Sequence, residues 1–263
     1  MGNLELRAGD AHLTVSQDRG SVTGFRLGDR QVLSGEHELF PMAPWCGRMR
    51  DGVLEWEGGE YRFPRTSGPH AIHGTVRNRP WQVLAHSATN IVLAQELSDP
   101  WPFEGRVTQS ITLGTSVAFT MTVAASSAPF PAQVGWHPWF ARRINDVAAE
   151  IRFDPAWQLE RGEDYLPTGR RITPSEGPWD DCFGMPDGVR VGLVWPQELA
   201  MTVTSPLHWA VVFDQPADAI CVEPQSGPPD GLNTTPRVVT PDNPLMGEMA
   251  WDWEVLADTA RRE

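Results

Sequence analysis

Cysteine is scarce. Cys46, Cys182 and Cys221 are the three thiols in 263 residues, and they stand far apart in the chain. That excludes the dense disulfide framework of a small secreted domain and any CxxC metal site, and it makes a reducing compartment, the cytoplasm, the expected location. Long apolar runs are missing too. None approaches the ~18 residues needed to cross a bilayer, and the opening MGNLELRAGDAH has no basic segment followed by an apolar one, so neither a span nor a leader is expected. Positive charge is in deficit: 21 Lys+Arg against 34 Asp+Glu leave a formal charge of −13. Such a chain repels nucleic acid and anionic lipid and leaves a small, neutral partner as the easier one to accommodate. GxSxG, a phosphate-binding glycine loop and the His/Glu metalloprotease motif are also lacking.

Helical periodicity hardly occurs, and strand-like runs fill the chain instead. Val53–Glu57 and Glu60–Phe63 flank Gly58-Gly59, a two-residue loop of the kind that closes a hairpin because glycine tolerates positive φ. Further runs lie at 81–85, 91–97, 107–113, 117–123, 151–153, 191–195, 201–204, 210–213, 220–223, 238–240 and 249–256. Their spacing predicts an all-β antiparallel sandwich. Gly and Pro, 24 of each, sit between the runs rather than in a linker, so residues 1–263 read as one domain. Residues 154–189 and 224–236 are the least regular, and loops of that length in a compact β domain are often functional.

Two titratable residues stand at apolar strand ends before proline: His137 in VGWHPWF and Glu223 in AICVEPQSG. Proline lacks the ladder donor, so each is expected at a strand terminus. A His and a Glu converging on one pocket are a natural pair for moving protons. His70 and His73 in PHAIHG could give a metal two ligands, but on a strand their spacing points the rings to opposite faces, and no local carboxylate or cysteine joins them. No metal is therefore expected. Cys221 shares a strand face with Glu223 and reads as a small buried residue rather than a nucleophile.

In several blocks the sequence resembles the aldose 1-epimerase, or galactose mutarotase-like, family. PWCGRMRDG is similar to the family's first block, with Arg48 at its arginine. HAIHGTVRNRPW carries the sugar-binding histidine onto His73, and GWHPWF carries the general acid onto His137. DDCF places the sugar-binding aspartate at Asp180, with Asp181 as rival, and VEPQSGPPDGLN makes Glu223 the general base. Gly47, where the family has Asn, and Trp139, where it has Tyr, are departures that bear on the substrate more than on the reaction. The resemblance implies a large galactose mutarotase-like β-sandwich with an open cleft, a sugar substrate and no cofactor.

Interconverting anomers needs a base for the C1 hydroxyl proton and an acid for the ring oxygen, roles that an ionised glutamate and a partly protonated histidine can fill near pH 7. Arg48, His73 and Asp180 are expected to hold sugar hydroxyls. Trp139 is expected to offer a flat apolar face, whereas alternation sends Trp136 to the face opposite His137. The expected activity is aldose 1-epimerase on a free aldose. A hexose 6-phosphate epimerase, with Arg77 and Arg79 on the phosphate, and a catalytically silent sugar-binding module are the alternatives.

Overall fold

A computed structural model describes residues 2–256, so Met1 and residues 257–263 of the expected domain lie outside the described part. Nearly all of the regular structure is antiparallel strand, as the alternating sequence pattern demands. Two eight-stranded sheets face each other. One, the back sheet, runs in the order Gln82–His86, Asn90–Glu96, Gly105–Leu113, Ser116–Ala125, Leu245–Val255, Leu199–Ser205, Val189–Trp195, Glu150–Arg152. The other, the site sheet, runs Pro167–Ile172, Trp157–Arg161, Asp180–Gly184, Trp209–Phe213, Ala219–Gln225, Gly135–His137, Phe40–Met42, with Trp139–Ala141 also pairing to Ala219–Gln225. The N-terminal strands Asn3–Ala8, Ala11–Ser16, Ser21–Leu27 and Arg30–Gln31 form a separate four-stranded sheet.

Between the large sheets lies one contiguous apolar core. Trp136 and Phe140, which point away from the His137 face, meet Phe119 and Trp251 of the back sheet at centroid distances of 6.2 and 5.1 Å. The indole of Trp136 donates to buried Gln109 (3.0 Å), so its polar edge is satisfied inside the core. Trp136 is fully buried, on the face that alternation predicts.

Three sequence expectations are corrected. The hairpin expected around Gly58-Gly59 turns on Glu57-Gly58, at φ 48° and 78°, one residue earlier than expected, with Gly59 already paired to Trp56. The stretch 154–189 is not a long loop: it supplies Trp157–Arg161, Pro167–Ile172 and Asp180–Gly184 to the site sheet. Pro167–Ile172 is an edge strand with little burial, so it carries no apolar alternation to read. Residues 224–236 likewise begin in strand, which continues through Pro224 to Gln225, and contain the short helix Gly231–Thr234.

The continuation through Pro224 has a definite cause. Gly135 pairs with Gln225 and Trp139 with Cys221 in one register, yet the ladder between these two bridges is interrupted. Ser226 N donates to Val134 O (2.9 Å), so alternation turns Pro224 toward the same neighbour. Pro138 faces back across the same gap. Each proline removes one donor, and the strands stay side by side without the bonds.

Candidate active site

In that register His137 stands directly opposite Glu223 as a non-hydrogen-bonded pair, the kind whose side chains come closest. Their contact follows: His137 Nε2 lies 3.1 Å from Glu223 Oε1, both residues buried. A row across the site sheet therefore reads Phe40, His137, Glu223, Val211, Cys182, and the next reads Trp139, Cys221, Phe213, Asp180. In the row on the other side, Gln225 donates from Nε2 to Glu223 Oε2 (3.1 Å). Gly135 is the neighbour that makes room for it, since a Cβ there would stand 2.7 Å from Pro224 O and 3.2 Å from Gln225 Cγ.

Loops above this floor supply the rest. Arg48 and Ile72 pair in a short ladder, and just beyond it His73 (φ 62°) and Gly74 (φ 73°) take two left-handed steps in succession. The glycine is obligatory, because a Cβ at residue 74 would lie 1.9 Å from Ala43 O. These steps swing His73 over the floor, where its ring meets His137 edge-on at 5.0 Å. Buried Gln133 ties the first block to the last, accepting from Cys46 N (3.1 Å) and donating to Pro228 O (3.0 Å). Asp230 accepts from Arg50 N (3.0 Å), and its own N–H donates to Arg48 O (2.7 Å).

The result is a cleft of about 220 Å³. Arg48, His73, His137, Asp180, Asp181 and Glu223 all line it, so the structure brings together the expected residues except Trp139. Trp139 belongs to the floor. It stacks on His137 at 5.0 Å and on His37 at 4.3 Å, so the flat apolar face expected for a ligand is taken by imidazoles. Phe40 stacks on His137 at 4.6 Å, and the ring of His137 is thereby held between two aromatic neighbours. Arg161, Tyr165, Phe213 and Gln225 also line the cleft, and no local motif in the sequence singles them out. Arg161 binds Asp180 Oδ2 at 2.8 Å and approaches Asp181 Oδ1 at 3.8 Å.

Burial dominates the electrostatics. It pushes the Glu223 carboxyl well above the carboxylate range, with Asp180 adding to the rise, while the Gln225 bond and Arg48 oppose it. Burial, then Arg77, brings His137 down to about 3. Both shifts favour the uncharged forms, a protonated Glu223 beside a neutral His137, across 3.1 Å. This corrects the ordinary pKa values expected from sequence, because neither group has ordinary solvation. His73 is also pushed well down, by burial first and then by His137, and its Nδ1 has no partner among the described residues, so it is a free polar atom at the cleft. Burial likewise raises Asp180, against the pull of Arg161.

The alternative metal pair is not assembled. His70 points away from the cleft, accepting at Nδ1 from Asp51 N (3.1 Å) and donating from Nε2 to Asp164 O (3.0 Å). The potential ligands that do converge are His137, Cys221 and Glu223, within 4.8 Å of one another. Burial and then Glu223 keep the Cys221 thiol protonated, so a cation would have to displace protons from Cys221 and from the pair.

Residues 4–241 match the aldose 1-epimerase family. YihR of Escherichia coli K12, a protein without a characterised function, is 24% identical over 88% of this chain and 86% of its own. A galactose mutarotase-like protein from Clostridium acetobutylicum superposes with a TM-score of 0.85 at 15% identity, covering 96% of this chain and 95% of the other. A galactose 1-epimerase from Lactobacillus acidophilus does so with 0.78 at 12% identity, covering 94% and 92%. At these identities the structural likenesses speak for the galactose mutarotase-like sandwich fold.

Proposed function

The chain belongs to the aldose 1-epimerase family, and from that premise we propose that it interconverts the α and β anomers of a free aldose. The observation that carries the reading is the buried His137–Glu223 pair, 3.1 Å apart on the floor of a small cleft. Glu223 takes the C1 hydroxyl proton while His137 protonates the ring oxygen; the ring opens, the C1–C2 bond rotates, and the steps reverse. Moving the resting proton from Glu223 to His137 reaches this state without changing the net charge of the cleft. The reaction returns both groups unchanged, so this scheme calls on no cofactor. Arg48, His73 Nδ1 and Asp180 are assigned to sugar hydroxyls, with Arg161 holding the Asp180 carboxylate (2.8 Å), and Trp139 to bracing the His137 ring. We take residues 1–263 as one cytoplasmic domain, which fits three unpaired cysteines and the lack of any long apolar helix among the described residues.

Two arginines bear on the phosphate alternative. Arg79 is engaged elsewhere, by Ser98 Oγ (2.6 Å) and Asp99 O. Arg77 has no carboxylate partner among the described residues, but it lies over the Phe40 ring at 4.7 Å and borders a separate small cavity beyond Ile72. A clamp of two arginines is not formed, and a neutral sugar is the preferred substrate. Polarimetry on freshly dissolved α-glucose, α-galactose and glucose 6-phosphate tests both points. Acceleration over the spontaneous rate is expected, with the larger kcat/KM for a free sugar. Binding without acceleration would leave a silent sugar-binding module, and a tenfold preference for the phosphate would make the hexose 6-phosphate epimerase the right reading.

A further inference from the structure

Tyr165 lines the cleft, yet the proposed chemistry gives it no task; any role for it rests on reading the cleft as a sugar site. It lies in the turn joining Trp157–Arg161 to Pro167–Ile172, and it is 52% exposed although the neighbouring Leu166 is fully buried. Its backbone sits at φ 63°, a conformation that a tyrosine keeps only where its surroundings hold it.

Those surroundings reach back to the first sequence block. Within the turn, Gly162 N donates to Leu166 O (2.8 Å), and Tyr165 N donates to Gly162 O (3.0 Å). Asp164 fastens the turn from outside: its carboxylate accepts from Arg50 Nη1 (2.9 Å) and from Leu166 N (3.1 Å), and its carbonyl accepts from His70 Nε2 (3.0 Å). His70 is in turn fixed by the Asp51 N–H. This gives the first histidine of PHAIHG a task, one the sequence could not disclose because its partner lies 94 residues on.

The ring this framework presents has two guanidinium neighbours, Arg48 at 4.9 Å and Arg161 at 5.2 Å, both of which line the cleft. With Trp139 enclosed by imidazoles and Phe213 packed edge-on against Trp139 in the floor, Tyr165 is the aromatic left at the rim. Apolar ring surface beside polar hydrogen-bonding groups is the combination a sugar requires, with its C–H edges against the ring and its hydroxyls on the polar groups. We propose that Tyr165 forms the outer wall of the cleft against the part of the sugar remote from the His137–Glu223 pair, and that His70 and Asp164 are the positioning residues that hold it there.

Tyr165→Ala, Tyr165→Phe and Asp164→Ala test this. Alanine bears the same left-handed strain as tyrosine, so Tyr165→Ala should unfold at the parent temperature while KM for the preferred aldose rises about tenfold and kcat stays within about twofold, the loss of one aromatic contact. Phenylalanine should keep KM within about threefold. Asp164→Ala, which keeps the Tyr165 side chain but frees the turn that positions it, should raise KM in the same direction and less. An unchanged KM in Tyr165→Ala, or a fall in kcat alone, overturns the assignment. If the parent turns over no aldose, the epimerase reading fails separately; saturation-transfer NMR with galactose then decides the wall. Binding by the parent that Tyr165→Ala loses supports it, whereas equal binding, or none by either, rejects it.

Discussion

His137 and Glu223 can share one proton because neither is allowed its usual charge, and this determines how activity should respond to acid and base. The competent pair holds one proton. It is lost upward when Glu223 gives up its proton, well above the ordinary carboxylate range, and downward when His137 gains a second near its lowered value of about 3. The expected pH–kcat profile therefore keeps its acid limb at about 3, below the ordinary carboxylate value of about 4.3. An acid limb at that ordinary value would show a solvated glutamate base and refute the shared proton. Glu223→Gln and His137→Asn preserve shape but not proton exchange, and each should slow turnover by roughly 10² or more in folded protein. Gly74→Ala is a test of a different kind. Its methyl would meet the Ala43 carbonyl, so a loss of roughly 3 kcal/mol or more is expected in urea unfolding, with His73 drawn out of the cleft. A variant as stable as the parent would mean that this backbone approach is not maintained.

At the level of strands, legibility follows burial. Runs such as 107–113 and 117–123 stand out because they alternate against a core, and they are strands paired to each other. Pro167–Ile172 escapes because an edge strand has no inner face to record. Proline misleads in one case and not in the other for a physical reason. Both His137 and Glu223 precede one, but the second partner of the His137 strand, Phe40–Met42, stops opposite His137, whereas that of the Glu223 strand, Trp209–Phe213, runs on opposite Pro224 and Gln225 and keeps it extended. Register cannot be read at all. The sequence places a His and a Glu before prolines, and only the pairing of Gly135 with Gln225 shows that they face each other. The same limit hides Arg161 and Gln225, which act through neighbours rather than through any local motif. Trp139 reads as a ligand platform because the rings that cover it, His37 and His137, come together around it only on folding.

For the whole molecule, the buried pair links stability to pH. Glu223 holds its proton more tightly folded than unfolded, so the stability it contributes is complete below the unfolded value of about 4.3 and is lost as pH rises through the folded one. His137 works in the opposite direction, taking away stability as pH falls from about 6.5 toward its folded value of about 3. Glutamine at 223 can still accept from Gln225 and donate to His137 but never ionises. Glu223→Gln should thus be more stable than the parent at about pH 8, and by more than at about pH 5, when midpoints of thermal unfolding are compared; an equal difference at both would sink the linkage. The proton-transfer pair is set by the register of sheet strands, while Arg48, His73 and Tyr165 stand on connections above it. On the proposed reading, insertions and substitutions in the connections can therefore shift which sugar is admitted, within what Asp180 of the sheet itself fixes, while the sheet goes on supplying the proton-transfer pair.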